Sequence, residues 1–153
     1  MLDPYPFTSN DDHTSYFFDS IGKRGVVPKV IDYVLLQNNI YNVGIQDLDP
    51  TTNERLPPQF TGNGDAMQVF VTAVETMKVF FKHYPDKWLF LEPLNSELIK
   101  LYHRGMLALM GPYADDIHVY GIVQEGEYEP YREDGTYRAI LIGLQEHHLQ
   151  ANS

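Results

Sequence analysis

The stretch from Thr14 to Asp49, TSYFFDSIGKRGVVPKVIDYVLLQNNIYNVGIQDLD, constrains the fold of this chain more than any other. Its aromatic and β-branched residues run in blocks broken by Gly22-Lys23-Arg24-Gly25 and by Asn38-Asn39, which is the pattern of strands joined by tight turns. Three antiparallel strands are expected, at Tyr16–Ser20, Val27–Leu36 and Ile40–Leu48. Pro28 has no N–H to give a ladder, so the start of the second strand is expected at a sheet edge or a bulge.

A Pro-, Thr- and Asn-rich segment over 49–63 follows, long enough for a loop to be read as a candidate lid. Beyond it Met67, Phe70, Val71, Val74, Met77 and Phe81 recur at helical spacing, with Gln68, Glu75, Lys78 and Lys82 on the opposite side. Core packing explains that stripe. Pro85 ends the helix by barring the α conformation at Tyr84. KWLFLEP reads as a short buried strand, and NSELIKLYHRGMLALMG as a second helix with Leu98, Leu101, Tyr102 and Leu109 along one face. That helix stops at Gly111-Pro112. IHVYGIVQ is a further strand, EGEYEPYREDG an acidic loop and TYRAILIGL a last strand. The order βββ-α-β-α-β-β predicts an α+β fold: a mixed, mainly antiparallel sheet with two α-helices packed on one face.

At 153 residues the chain is sized for a single domain over 1–153. Residues 1–13, with two prolines and the run Asn10-Asp11-Asp12, are expected to form a loose N-terminal arm, and 145–153 a polar C-terminal tail. The first residues offer no basic and apolar succession of a signal peptide, no apolar run approaches the roughly 20 residues that cross a bilayer, and cysteine is absent. A cytoplasmic protein is expected, without disulfides or thiolate chemistry. The 11 basic and 21 acidic residues leave a formal charge of −10, which disfavours general nucleic-acid binding and suits a basic partner.

Chemistry, if present, has to come from carboxylates, imidazoles, hydroxyls and amines. The crossover from the third strand through the first helix to the next strand predicts a parallel pair, whose C-terminal edge should collect Asp47, Asp49, Asn63, Asp65 and Glu92. Such a cluster could hold Mg²⁺ or Mn²⁺ through hard oxygen ligands, the basis of a divalent-metal-dependent phosphodiesterase or nuclease. No metal ligand set is assigned, because Asp and Asn are also the residues that cap helices and start turns. On that plainer account Asn63 or Asp65 caps the first helix, Asn95 or Ser96 the second, and Asp47 and Asp49 open a turn. Thr61-Gly62-Asn63-Gly64-Asp65 lacks the Lys-Ser/Thr of a phosphate loop, and Asp65 would repel a phosphate. The histidines have no zinc spacing, and no serine sits in a nucleophile elbow.

Two further features stand out. Lys100 and Arg104, with His103, make a short basic strip on the second helix, a candidate anion contact. Tyr128, Tyr131, Arg132 and Tyr137 make a candidate interaction loop, since exposed Tyr and Arg are enriched at interface hot spots. A protein-interaction module is therefore favoured over an enzyme, and expected as one component of a toxin–antitoxin or phage-defence type pair, with a small cognate bacterial protein as partner.

With these elements in order the chain resembles an uncharacterised family of small bacterial proteins known only as a domain of unknown function. The resemblance runs from Gly22 to Tyr120 and rests on Asp47 after the long strand, Asn63 and Asp65 at the helix start, and Lys100-Leu101-Tyr102. It implies a shared fold and no activity. The family's further arginine falls at Leu98 in this chain, which removes one member of any shared anion site.

Overall fold

The computed structural model describes residues 3–57, 62–92, 96–113 and 115–144, with the backbone alone for 96–98. Its strands are β1 (Thr8–Ser9), β2 (Ser15–Gly22), β3 (Gly25–Gln37), β4 (Ile40–Asp47), β5 (Trp88–Leu91), β6 (His118–Gln124), β7 (Glu127–Pro130) and β8 (Ala139–Gly143). Helices α1 (Ala66–His83) and α2 (Ser96–Leu109) flank β5 in sequence, and a 3-10 turn at Gly111–Tyr113 follows α2. The strands form one mixed sheet in the order β1-β2-β3-β4-β5-β8-β6-β7, so the α+β, mainly antiparallel architecture read from the sequence is the one observed. β4 and β5 pair in parallel, with Ile40 opposite Trp88 and Asn42 opposite Phe90, as the intervening helix requires.

The chain divides into two compact units, one of Met1–Tyr33 with Gly44–Phe80 and the other of Val34–Val43 with Phe81–Ser153. In the first unit, Tyr16, Phe18, Ile31 and Tyr33 of β2 and β3 are buried with Val71, Val74, Met77 and Phe80 of α1. The Tyr33 ring stacks on Phe80 at 4.5 Å between centroids, and its hydroxyl pairs with that of Thr76 at 2.8 Å. Burial pushes the Tyr33 phenol far above its ordinary range, so it stays a neutral hydroxyl. Thr72 and Thr76 are buried as well, their hydroxyls donating to the helix carbonyls of Gln68 and Ala73. A polar side chain that satisfies itself on its own helix can enter a core at little cost. Met67, expected on the inner stripe, is exposed one turn too early to reach the core.

β3 is an interior strand of the sheet, but Pro28 stands near its start, where one side is open as the expectation of an edge or a bulge requires. Tyr33 donates its N–H to Thr14, toward β2, so strand alternation turns the Pro28 nitrogen toward β4. β4 has already ended there at Asp47, and the Pro28 carbonyl accepts the N–H of Leu48 at 2.8 Å. No ladder bond is lost.

Residues 3–13 are not the loose arm that their composition suggests. Thr8 and Ser9 pair with Phe17 and Tyr16, Tyr5 is buried against Phe18, and the Tyr5 N–H donates to Thr72 Oγ1 at 2.8 Å. The expected polar tail, 145–153, lies outside the described residues.

In the second unit β8 is buried along its whole length between β5 and β6. Trp88 is fully buried, and Gly143 leaves the space its indole occupies. α2 buries Ile99 and Met106, with Met110 just beyond it, while Leu101 is exposed. The face expected from Leu101 and Leu109 is thus rotated. The segment expected as a plain acidic loop contains β7, paired antiparallel with β6.

Candidate functional site

The carboxylates expected at the sheet edge are each committed locally. Asp47, the last residue of β4, receives Lys29 Nζ at 2.6 Å and Arg24 Nη2 at 3.3 Å. Burial alone would raise its pKa, but the two cations outweigh that and hold the carboxyl below its usual range. Asp49 accepts the N–H groups of Thr51 and Thr52 and caps the turn that brings Arg55 opposite Leu48. Thus Asp49 opens a turn as expected, whereas Asp47 ends its strand in an ion pair. Of the candidate lid, 58–61 lie outside the described residues, and 48–56 fold back as a hairpin-like turn, Leu56 donating to the Asp47 carbonyl at 2.8 Å.

Asn63 is buried and acts as a latch on the β2–β3 turn. Its side-chain oxygen accepts the Arg24 N–H at 2.5 Å, its amide donates to Ser20 Oγ and the Gly25 carbonyl at 3.1 Å each, and its carbonyl accepts the Lys23 N–H at 3.0 Å. Gly22 is required beneath it, because a Cβ there would overlap the Asn63 carbonyl. Asp65 stands at the N-cap of α1, where its carbonyl accepts the first helical N–H, from Val69. Its carboxylate accepts the hydroxyls of Tyr5 and Ser20 at 2.6 and 2.5 Å. Glu92, in the second unit, pairs with Arg138 at 3.5 Å. Among the described residues, no three His, Asp or Glu side chains come together as one ion would require. Asn95 and the Ser96 side chain lie outside the described residues.

The two features of the second unit that were read separately, the basic strip of α2 and the Tyr/Arg segment after β7, form one surface. Arg104 reaches Glu133 with Nε and Nη2 at 3.4 and 3.3 Å. Beside it the rings of His103 and Tyr131 stack at 3.8 Å between centroids. His103 Nδ1 and the Tyr131 hydroxyl are buried without a hydrogen-bond partner among the described residues, the former 3.9 Å from Glu133 Oε1. Burial pushes the imidazole below its ordinary range, and Arg104 adds to this against the pull of Glu133, so His103 is neutral at pH 7. Hydrogen bonding from Arg104 holds the Glu133 carboxyl low, with smaller help from His103 and Lys100.

Arg132 is fixed in a similar way. Its Nε donates to Glu129 Oε2 at 2.7 Å, the same oxygen accepts the Tyr137 hydroxyl at 2.9 Å, and the Arg132 N–H donates to that hydroxyl at 3.1 Å. Tyr137 is therefore a buried support for the loop and not an exposed contact. Tyr128 packs edge-on against Tyr120 at 5.7 Å. Arg104 and Arg132 keep 68% and 60% of their side chains exposed while their guanidinium groups are held in place. His103 belongs to this site through its stacked ring, which a reading of α2 as a basic strip does not reveal.

In the first unit a groove of about 700 Å³ runs between β1–β2 and the 48–55 turn, walled by Phe7, Phe17, Leu48, Asp19 and Arg55. Arg55 holds Asp32 through two bonds of 2.7 and 2.8 Å, and Lys29, also at the wall, is bound to Asp47.

The fold and these surfaces define a small α+β protein. The chain belongs to a family of unknown function, DUF6934, whose model matches residues 1–145. No match was found among curated proteins or among solved structures. No helix among the described residues is long and apolar enough to cross a membrane.

Proposed function

We propose that this protein is a non-enzymatic interaction module that docks a small cognate protein through the surface formed by α2 and the segment after β7. One observation carries the reading: Arg104 and Arg132 are largely exposed yet held by Glu133 and Glu129, around a stacked His103–Tyr131 pair. Arg and Tyr dominate interface hot spots, and side chains already fixed in the free protein lose less entropy on binding. The formal charge of −10 favours a basic partner and speeds its encounter. A pair of the toxin–antitoxin or phage-defence kind fits this description.

The test is affinity purification from the native host with tagged wild type and the double variant Arg104→Ala/Arg132→Ala, with folding checked by circular dichroism. A stoichiometric basic protein retained by the wild type and lost from the folded double variant is expected. Equal retention by both, or no stoichiometric partner at all, would sink the proposal.

A further inference from the structure

We propose that Asn63 is a spontaneous modification site that the fold guards: once the chain unfolds, the Gly64 amide nitrogen converts Asn63 to aspartate and isoaspartate, and the product cannot regain the native structure. Asn63-Gly64 is the one asparagine–glycine pair of the sequence. Glycine has no side chain to hinder attack by its own nitrogen on the preceding residue, and in an unfolded chain it samples the conformations that attack requires. The Gly64 nitrogen forms a bond to Asn63 Cγ, the Cγ–Nδ2 bond breaks, and the Gly64 amide proton leaves with Nδ2 as ammonia. Water then opens the cyclic imide at either carbonyl, one opening giving aspartate and the other isoaspartate. The net change is NH exchanged for O.

The fold closes this route while needing both members of the pair. Asn63 is 3% exposed, its Oδ1 accepts the Arg24 N–H, and its Nδ2 donates to the Ser20 carbonyl, Ser20 Oγ and the Gly25 carbonyl. To react, the side chain would have to give up all of these and swing onto Gly64. Gly64 has a φ of +81°, which residues with a side chain rarely adopt, so the latch itself imposes the labile pair. The product fails at the same contacts. Each group that receives a proton from Asn63 Nδ2 is there an acceptor, since Ser20 Oγ gives its only proton to Asp65. A carboxylate at this position would lie buried against two carbonyls, with the Arg24 N–H as its remaining donor among the described residues, and so poorly paired a charge disfavours the folded state. Isoaspartate adds a methylene to the main chain where the Asn63 carbonyl already lies too close to Gly22 for a Cβ to fit. Time spent unfolded is thereby made irreversible by chemistry.

Peptide mapping by mass spectrometry tests this on the whole chain held in mildly alkaline buffer, folded or in concentrated urea, with a synthetic peptide of residues 61–66 in the same buffer as the unguarded reference. The peptide and the unfolded chain are expected to exchange NH for O at residue 63 and to yield isoaspartate, which direct hydrolysis of the side chain does not give. The folded chain should react at least about tenfold more slowly than the peptide, because reaction has to wait for the latch to open. After dilution of urea-aged chains, the fraction that regains the wild-type melting midpoint should contain intact Asn63 alone. Asn63→Asp, made directly, should fail to fold or melt below the wild type. A folded chain that reacts as fast as the peptide overturns the proposal, and so does an unfolded chain that stays unmodified at Asn63. Modified chains, or an Asn63→Asp variant, that melt at the wild-type midpoint overturn it as well.

Discussion

Asp47 is a carboxylate whose placement invites a functional reading and whose contacts supply a structural one. It is 8% exposed and shared between Lys29 and Arg24. Its removal leaves the part-buried Lys29 and the more exposed Arg24 without their shared acceptor, so Asp47→Ala is expected to cost about 3 kcal/mol, the upper end for hydrogen bonds to a charged group. In a chain of this size that lowers the melting temperature by roughly 6–12 °C, read by thermal unfolding. Asp47 and Asp32 are both held below the ordinary carboxylate range, burial opposing and their cationic partners prevailing. A depressed folded pKa means that the unfolded chain takes up the proton first. The stabilisation is therefore complete above the unfolded value of about 3.9 and is lost as the pH falls through the folded one. Denaturant midpoints should drop on acidification below about pH 4, and less steeply for Asp47→Asn than for the wild type. A parallel profile in the two would show that the ion pair carries no such share. At Tyr5 the prediction is smaller. Tyr5→Phe leaves Asp65 with Ser20 as its remaining hydroxyl donor, at a cost of about 1–2 kcal/mol by equilibrium unfolding. No change would mean that the N-terminal segment docks through its ring alone.

Elements whose burial follows a period were legible in the sequence, and elements fixed by distant partners were not. Val71, Val74 and Met77 announce α1 because a helix exposes its inner face every third or fourth residue. α2 was legible as a helix, but its inner face was not, because Leu101 and Ile99 are equally apolar and their burial depends on what packs beside them. β7 was hidden because its residues, Glu127-Tyr128-Glu129-Pro130, carry little strand propensity and are held by pairing with β6. The commitment of Asp47 to Lys29 is likewise a matter of register between strands, which no spacing along the chain prints. The supports of the candidate surface belong to the same class. Gly121 on β6 leaves the space in which the Tyr137 ring lies, and a Cβ there would overlap that ring. Gly121→Ala should therefore destabilise by about 1–3 kcal/mol, as overpacking does. Because the Tyr137 hydroxyl holds Glu129 and the Arg132 backbone, the variant should also retain less partner than wild type in the affinity purification. Full retention would separate Tyr137 from the interaction surface.

For the whole molecule, the question is whether the two compact units unfold as one. No linker divides them, because β3, β4 and α1 each begin in one unit and end in the other. Partial unfolding would have to break a strand or a helix in its middle, where the backbone hydrogen bonds freed have no new partner but water and the remaining half loses its neighbours. A single cooperative transition is therefore expected. The chain provides its own test, since its one tryptophan, Trp88, is fully buried in the second unit while Asp47 lies in the first. Asp47→Ala should lower the midpoint seen by Trp88 fluorescence by as much as the midpoint seen by far-ultraviolet circular dichroism. If the units unfolded separately, the fluorescence midpoint would stay at the wild-type value and the dichroism curve would split into two steps. Coincident shifts would instead show that an ion pair at the end of β4 stabilises a core to which it contributes no side chain, through strands and a helix common to both units.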